Sequence, residues 1–205
     1  MSSSHFRSSL LLATTLVLAA GCNVIPSPQA DPTRFYVLAS PSPAAPGIVA
    51  KLKRINLRPV EVASYLRSRP MVVRRGDNEV QFRDFARWGE PLEQGVGRVL
   101  RDALLASGAA GSVSVASSRV GRVAGEPDLL VNVQACEGGA DGSVRFEVAW
   151  ELLSGNDGSV LTRGNFKADG LKWDGRQEAS IAAAVSQGVV ALAAEITGAV
   201  GAVRN

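Results

Sequence analysis

Between Val144 and Leu152 every second residue is apolar (Val144, Phe146, Val148, Trp150, Leu152), with Arg145, Glu147, Ala149 and Glu151 in between. That two-residue period predicts a half-buried strand with one wet face. Glycine-bearing loops at Gly138 to Gly142 and Gly155 to Gly158 flank it, so Asp128 to Glu137, Ser143 to Leu153 and Ser159 to Asp169 read as a three-strand meander. Upstream, Arg34 to Leu38 suits a first strand, and a Pro-rich loop follows from Ser40 to Gly47. Ile48 to Leu57 and Met71 to Arg75 read as further strands. Turn chemistry at Gly76-Asp77-Asn78 returns the chain through Glu79 to Phe82 as an antiparallel hairpin. At Pro91 the period changes. Leu92, Val96, Val99, Leu100, Ala103 and Leu104 recur at offsets 0, 4, 7, 8, 11 and 12, one helical stripe that starts on a proline and stops at Gly108. A last helix is capped by Asp174, with Gln177 three residues on, and carries Ile181, Val185, Gly188, Val189, Leu192, Ile196, Ala199 and Val203 on one face. The expected fold is one α/β domain: a mixed, largely antiparallel sheet packed with two α-helices.

Ala179 to Val203 is about long enough to span a bilayer at roughly 1.5 Å per residue. Gln187 and Glu195 would then lie in hydrocarbon, and only Arg204 follows as a basic stop. Packing on the sheet is the expected role. The other apolar stretch, Leu10 to Ala20, is too short to span and has the length of a signal-peptide core. It ends in Leu18-Ala19-Ala20-Gly21-Cys22, which looks like a bacterial lipobox, the alternative being an ordinary secretory signal followed by a chance cysteine. On the lipobox reading residues 1–21 are removed and Cys22 is lipidated. Several acyl chains at ~0.8 kcal/mol per buried methylene then hold the chain to a membrane. Residues 22–32 form a tether whose ten positions after the cysteine reach roughly 35 Å when extended. Residues 33–205 form the domain.

Cleavage also removes His5, the single histidine, and leaves Cys136 as the one unmodified cysteine. An intramolecular disulfide, Cys/His zinc sites and imidazole-activated nucleophiles are thereby excluded. Lysine-based hydrolases survive that filter, but no Ser-x-x-Lys or Gly-x-Ser-x-Gly occurs. Cys136 reads as a small buried hydrophobe. No cofactor or metal is expected. With Arg7 gone, 21 of the 22 basic side chains remain against 19 acidic ones, and no run of like charge suggests nucleic acid. Arg74-Arg75 and Lys51, Lys53 and Arg54 read as solvated strand faces. Gly95-Val96-Gly97-Arg98-Val99-Leu100 mimics a dinucleotide fingerprint, yet it lacks the third glycine and lies within the predicted helix.

Three stretches carry a resemblance: Val60-Glu61-Val62-Ala63-Ser64-Tyr65-Leu66, Arg69-Pro70-Met71-Val72-Val73-Arg74 with Asn78, and Arg87-Trp88-Gly89-Glu90-Pro91-Leu92. This pattern resembles the PqiC-like, ABC-transport auxiliary lipoprotein family, with Gly89 where members commonly have alanine. Phe35-Tyr36-Val37-Leu38, the lipobox and the final helix fall where the family has them. The resemblance implies a non-catalytic periplasmic subunit of an intermembrane lipid-transport system, whose partners are an MCE-domain protein and an inner-membrane permease. Self-assembly into a ring is a further expectation. Asn23, standing where proteobacterial sorting reads aspartate as retention, implies the outer membrane. A lipoprotein that activates a cell-wall synthase or supports outer-membrane assembly has the same size and layout.

Within the matched strings Tyr65, Arg67, Arg69, Arg87, Trp88 and Glu90 are the candidate partner-binding residues, since indole and guanidinium groups are enriched at interface anchors. Each also has a structural reading. A ring before a helix start most often packs as core, which Trp88 would do. Glu90 would meet the helix dipole, and Arg69 would pair with Glu90 or Glu61.

Overall fold

The computed structural model describes residues 29–43, 48–115 and 125–203. Leu10 to Ala20, Cys22 and Asn23 lie outside them. From Thr33 onward the chain forms one compact unit. Its elements are β1 (Arg34–Tyr36), β2 (Ile55–Leu57), β3 (Glu61–Val62), a 3-10 turn (Ser64–Leu66), β4 (Pro70–Gly76), β5 (Glu79–Trp88), α1 (Leu92–Ala106), β6 (Val113–Val115), β7 (Asp128–Gly139), β8 (Val144–Leu153), β9 (Val160–Lys167) and α2 (Glu178–Val203).

All the strands join one mixed sheet whose main path is β1-β5-β4-β7-β2-β6. One edge of β7 takes β8, which takes β9, completing the expected antiparallel meander. Its other edge is filled in succession by three short parallel strands: β2 (Leu57 beside Leu129), β3 (Val62 beside Val133) and β4 (Val73 beside Gly138). Antiparallel pairing supplies the long ladders β4–β5, β7–β8 and β8–β9, and the parallel pairings are short.

Several local expectations change. Only Ile55–Leu57 of the Ile48 to Leu57 run is strand, because Lys51 and Leu52 instead donate backbone N–H groups to the carbonyls of Gly108 and Ala109 just past α1. β5 runs six residues beyond Phe82 to Trp88; between the pairs Val72/Phe82 and Pro70/Arg87 its register shifts, which breaks the two-residue period. The two-residue β3 and three-residue β6 were not anticipated.

α1 and α2 pack against each other and against the sheet. Their stripes meet Ile55, Leu57, Val73, Leu129, Val133 and Phe146 in one core in which Val96, Val99, Leu100, Val185, Val189, Leu192 and Ile196 have no exposed surface. Among the described residues α2 alone is long and apolar enough to cross a membrane, but its apolar face is buried against the sheet. α1 ends as expected at Gly108, whose φ of +74° suits glycine; Gly108 and Ala109 donate to the carbonyls of Leu105 and Leu104, a Schellman closure. Asp174 accepts from the N–H groups of Arg176 and Gln177 ahead of α2, and these bonds hold its carboxyl below the usual range.

α2 seats itself through Gly188. A Cβ there would lie 2.8 Å from Cδ1 of Phe146, which is wholly buried, whereas a Cβ on Gly198 meets nothing within 4 Å. Gly198→Ala is therefore expected to raise stability by about 0.5–1 kcal/mol through helix propensity. Gly188→Val is expected to lower it by about 1–3 kcal/mol through overpacking. Thermal unfolding of the two variants measures both, and a Gly188→Val protein melting at or above wild type would contradict this seating.

Candidate functional site

β7 buries Leu129, Val131 and Val133 on its core side, and near its far end Ala135 and Cys136 are followed by Glu137, a carboxylate with no exposed surface. An unpaired charge there would cost several kcal/mol, so its neighbours decide whether the strand can fold. The 3-10 turn after β3 brings Tyr65 over it, and the Tyr65 hydroxyl donates to Glu137 Oε2 at 2.8 Å. β4, paired to the same stretch of β7, brings Arg74, whose Nε donates to Oε1. Arg145, opposite Glu137 on β8, places Nη1 at 3.8 Å from Oε1 and donates from Nη2 to Glu147 at 2.8 Å. Lys167 on β9 approaches Glu147 at 3.6 Å. Burial first, then the bond to Glu137, raises the Tyr65 phenol above its ordinary range, so it remains a donor at neutral pH. The side chain of Arg74, expected on a solvated strand face, is about three-quarters covered and belongs to this cluster.

A second buried polar group lies at the other end of β7. Asn56 of β2 donates through Nδ2 to Asp128, and Ser114 of β6 donates to Asn56 Oδ1 at 3.3 Å. Beside it an open groove of about 730 Å³ runs between Arg58, Glu61, Leu130, Asn132 and Glu151. Cys136, 2% exposed, behaves as expected of a small buried hydrophobe; burial pushes its thiol up to about 12, which keeps it out of nucleophilic chemistry at neutral pH.

The six residues singled out from sequence do not form one cluster. Tyr65 joins Glu137. Trp88, 5% exposed at the end of β5, lies in the core, while Arg87, one position earlier, is exposed. Arg67 and Arg69 are exposed on the segment entering β4, and the Arg69 carbonyl accepts from the Trp88 N–H. Glu90 pairs with Arg98 at 2.6 Å instead of with Arg69, and Arg98 also donates to the Leu38 carbonyl, tying the end of the first strand segment to α1. Sequence reasoning missed Glu137, whose one signal is an acidic residue beside Cys136 near the end of a long strand.

Among the described residues a mixed nine-stranded sheet with two helices and a Glu-Tyr-Arg cluster around one buried carboxylate define a small α/β domain. The chain belongs to the ABC-type transport auxiliary lipoprotein component family, which it matches over residues 36–197. No curated protein matches it in sequence. Among solved structures it is similar to the crystal structure of an uncharacterized protein, at 21% identity over 81% of this chain and 97% of the other, with a TM-score of 0.65. It is also similar to a DUF330-family protein from Xanthomonas campestris, at 20% identity over 80% and 93%, again with a TM-score of 0.65. A dodecameric PelC from Paraburkholderia phytofirmans gives 14% identity over 78% and 94%, with a TM-score of 0.44.

Two tests separate scaffold from surface. Trp88→Ala should cost about 3–5 kcal/mol of stability, and Arg69→Ala should stay within about 0.5 kcal/mol of wild type, both read from denaturant unfolding. At the buried carboxylate, Arg74→Met should cost on the order of 3 kcal/mol because it leaves Glu137 short of a charged partner. Tyr65→Phe should cost about 1–3 kcal/mol. The double variant should cost less than the sum, since both side chains serve one carboxylate; strict additivity would refute the shared cluster.

Proposed function

We propose that this chain is an outer-membrane-anchored auxiliary subunit of an intermembrane lipid-transport system, working beside an MCE-domain protein and an inner-membrane permease without catalysing a reaction itself. The observation that carries the reading is membership of the ABC-type transport auxiliary lipoprotein family over residues 36–197. The Leu18-Ala19-Ala20-Gly21-Cys22 string supplies an acylation site ahead of the domain, and Asn23 is not the aspartate associated with inner-membrane retention. The chemistry of the domain fits an assembly role. Glu137 has both oxygens bonded, Asp128 accepts from Asn56, and Cys136 is protonated and covered, so the three ionisable groups buried in β7 serve the fold. Several acyl chains anchor stably, and a tether of about 35 Å keeps the domain near the headgroups while letting it reach a partner.

Mass spectrometry of the mature protein should find an acylated N-terminal Cys22, and Cys22→Ser should release a folded protein from the membrane fraction. The membrane-bound protein should also capture the MCE-domain protein of its own system. An unmodified N-terminus would end the anchor reading. Capture of a cell-wall synthase in place of the MCE-domain protein would move the chain to a different assembly.

A further inference from the structure

β1 is an edge strand, and it is the first strand after the tether. Its register on β5 sets Phe35 beside Arg87 and Tyr36 beside Trp88, so Phe35 and Arg87 share one side of the sheet while Trp88 points to the core on the other. Val37 continues the outward side: a Cβ on Gly89 would lie 3.1 Å from Val37 Cγ1 and 3.9 Å from Phe35 Cβ. Phe35, Val37 and Phe85 are 62%, 60% and 57% exposed, a large apolar area for neighbouring positions on two strands. Arg87 shares its side, and the chain entering β4 reaches the same end of β5, where the Arg69 carbonyl accepts from the Trp88 N–H and Arg67 lies two residues earlier; all three arginines are exposed, none with a carboxylate partner among the described residues.

We infer that this edge of β1 and β5 is a membrane-contact surface for anionic phospholipid, with Phe35, Val37 and Phe85 dipping among the headgroups and the three arginines binding their phosphates. The inference rests on Cys22 being the lipid anchor. Two observations select a bilayer as the occupant. The eleven residues from Asn23 to Thr33 place β1 within roughly 40 Å of chain from the acyl group, nearer along the chain than any other strand. The patch also joins apolar rings to cations with no acidic residue paired to them, the composition that suits an anionic interface. At roughly fivefold in partition per arginine, three such residues shift surface contact about 100-fold. The acyl chains would hold the protein to the membrane, and this surface would fix which way the domain faces.

The test uses the full acylated protein in vesicles carrying bromine on their acyl chains. Trp88, Trp150 and Trp173 are at most 8% exposed, so their emission is shielded, and Phe35→Trp or Phe85→Trp adds a reporter at the patch. In phosphatidylglycerol-containing vesicles either reporter should be quenched by bromine. Replacing Arg67, Arg69 and Arg87 with Gln should reverse the quenching while the protein still floats with the vesicles. Floating protein whose reporters ignore bromine, including reporters shifted to the blue by a second protein copy, overturns the membrane surface and leaves the anchor standing. Protein that does not float overturns both.

Discussion

The domain depends on the double pairing of β7. One edge takes the whole of β8, and the other takes β2, β3 and β4 end to end, so the chain from Ile55 to Arg74 runs parallel to a single strand in three steps. Between steps it leaves the edge, at Pro59 and Val60 after the Arg58 N–H has bonded the Leu129 carbonyl and again at the 3-10 turn, and those departures absorb its greater length. Register matters here more than pairing strength. A one-residue slip would drive Glu137 toward Phe146 and the helices and turn Cys136 outward. The bonds from Tyr65 and Arg74 to Glu137 close off that slip, because each sits on a segment whose own pairing to β7 would have to move as well.

Such a cluster is costly to keep if stability is the only criterion, since buried ion pairs rarely exceed well-packed apolar side chains of similar volume. Here it joins elements that have little else to hold them. β3 has two residues and the turn after it has three, so neither carries enough backbone hydrogen bonding to be stable alone. Tyr65, on that turn, and Arg74, on the next strand, secure them to the centre of the sheet through one carboxylate. The Tyr65 phenol titrates above its usual range, so its share of the bonding is complete below about pH 10 and declines only as alkali ionises the folded phenol.

Elements long enough to show a period were legible. The meander and both helices follow from spacing, the stop at Gly108 from glycine at a helix end, the buried Cys136 from its residue type, and α2 as a core helix from Gln187 and Glu195, which interrupt its outer face. β3 and β6 offer too few residues for any period to register. β5 hid its second half because the register shift between Phe82 and Arg87 places exposed Asp84 and Phe85 where alternation would require one of them buried. The polar cluster was illegible for a different reason: Tyr65, Arg74 and Glu137 are 63 to 72 residues apart in pairs that include Glu137, and only the parallel path along β7 brings them together. Tyr65 was singled out through family likeness, whereas Glu137 belongs to none of the matched strings.

The two sides of the β1–β5 edge divide the candidate residues by consequence. Trp88, Ala86 and Tyr36 face the core and set how β5 meets α1, and the Glu90–Arg98 pair fastens the adjoining loop. Phe35, Val37 and Arg87 on the other side contribute little to that packing, since each is exposed. A strand can therefore present arginine and indole one residue apart and use them in opposite ways, one on the surface and one in the core. A short parallel edge strand is a weak element on its own, with three residues of pairing. Contact with a surface that covers its apolar side, such as the membrane proposed above, would stabilise it by removing that area from water, so binding there and ordering of the first strand would reinforce each other.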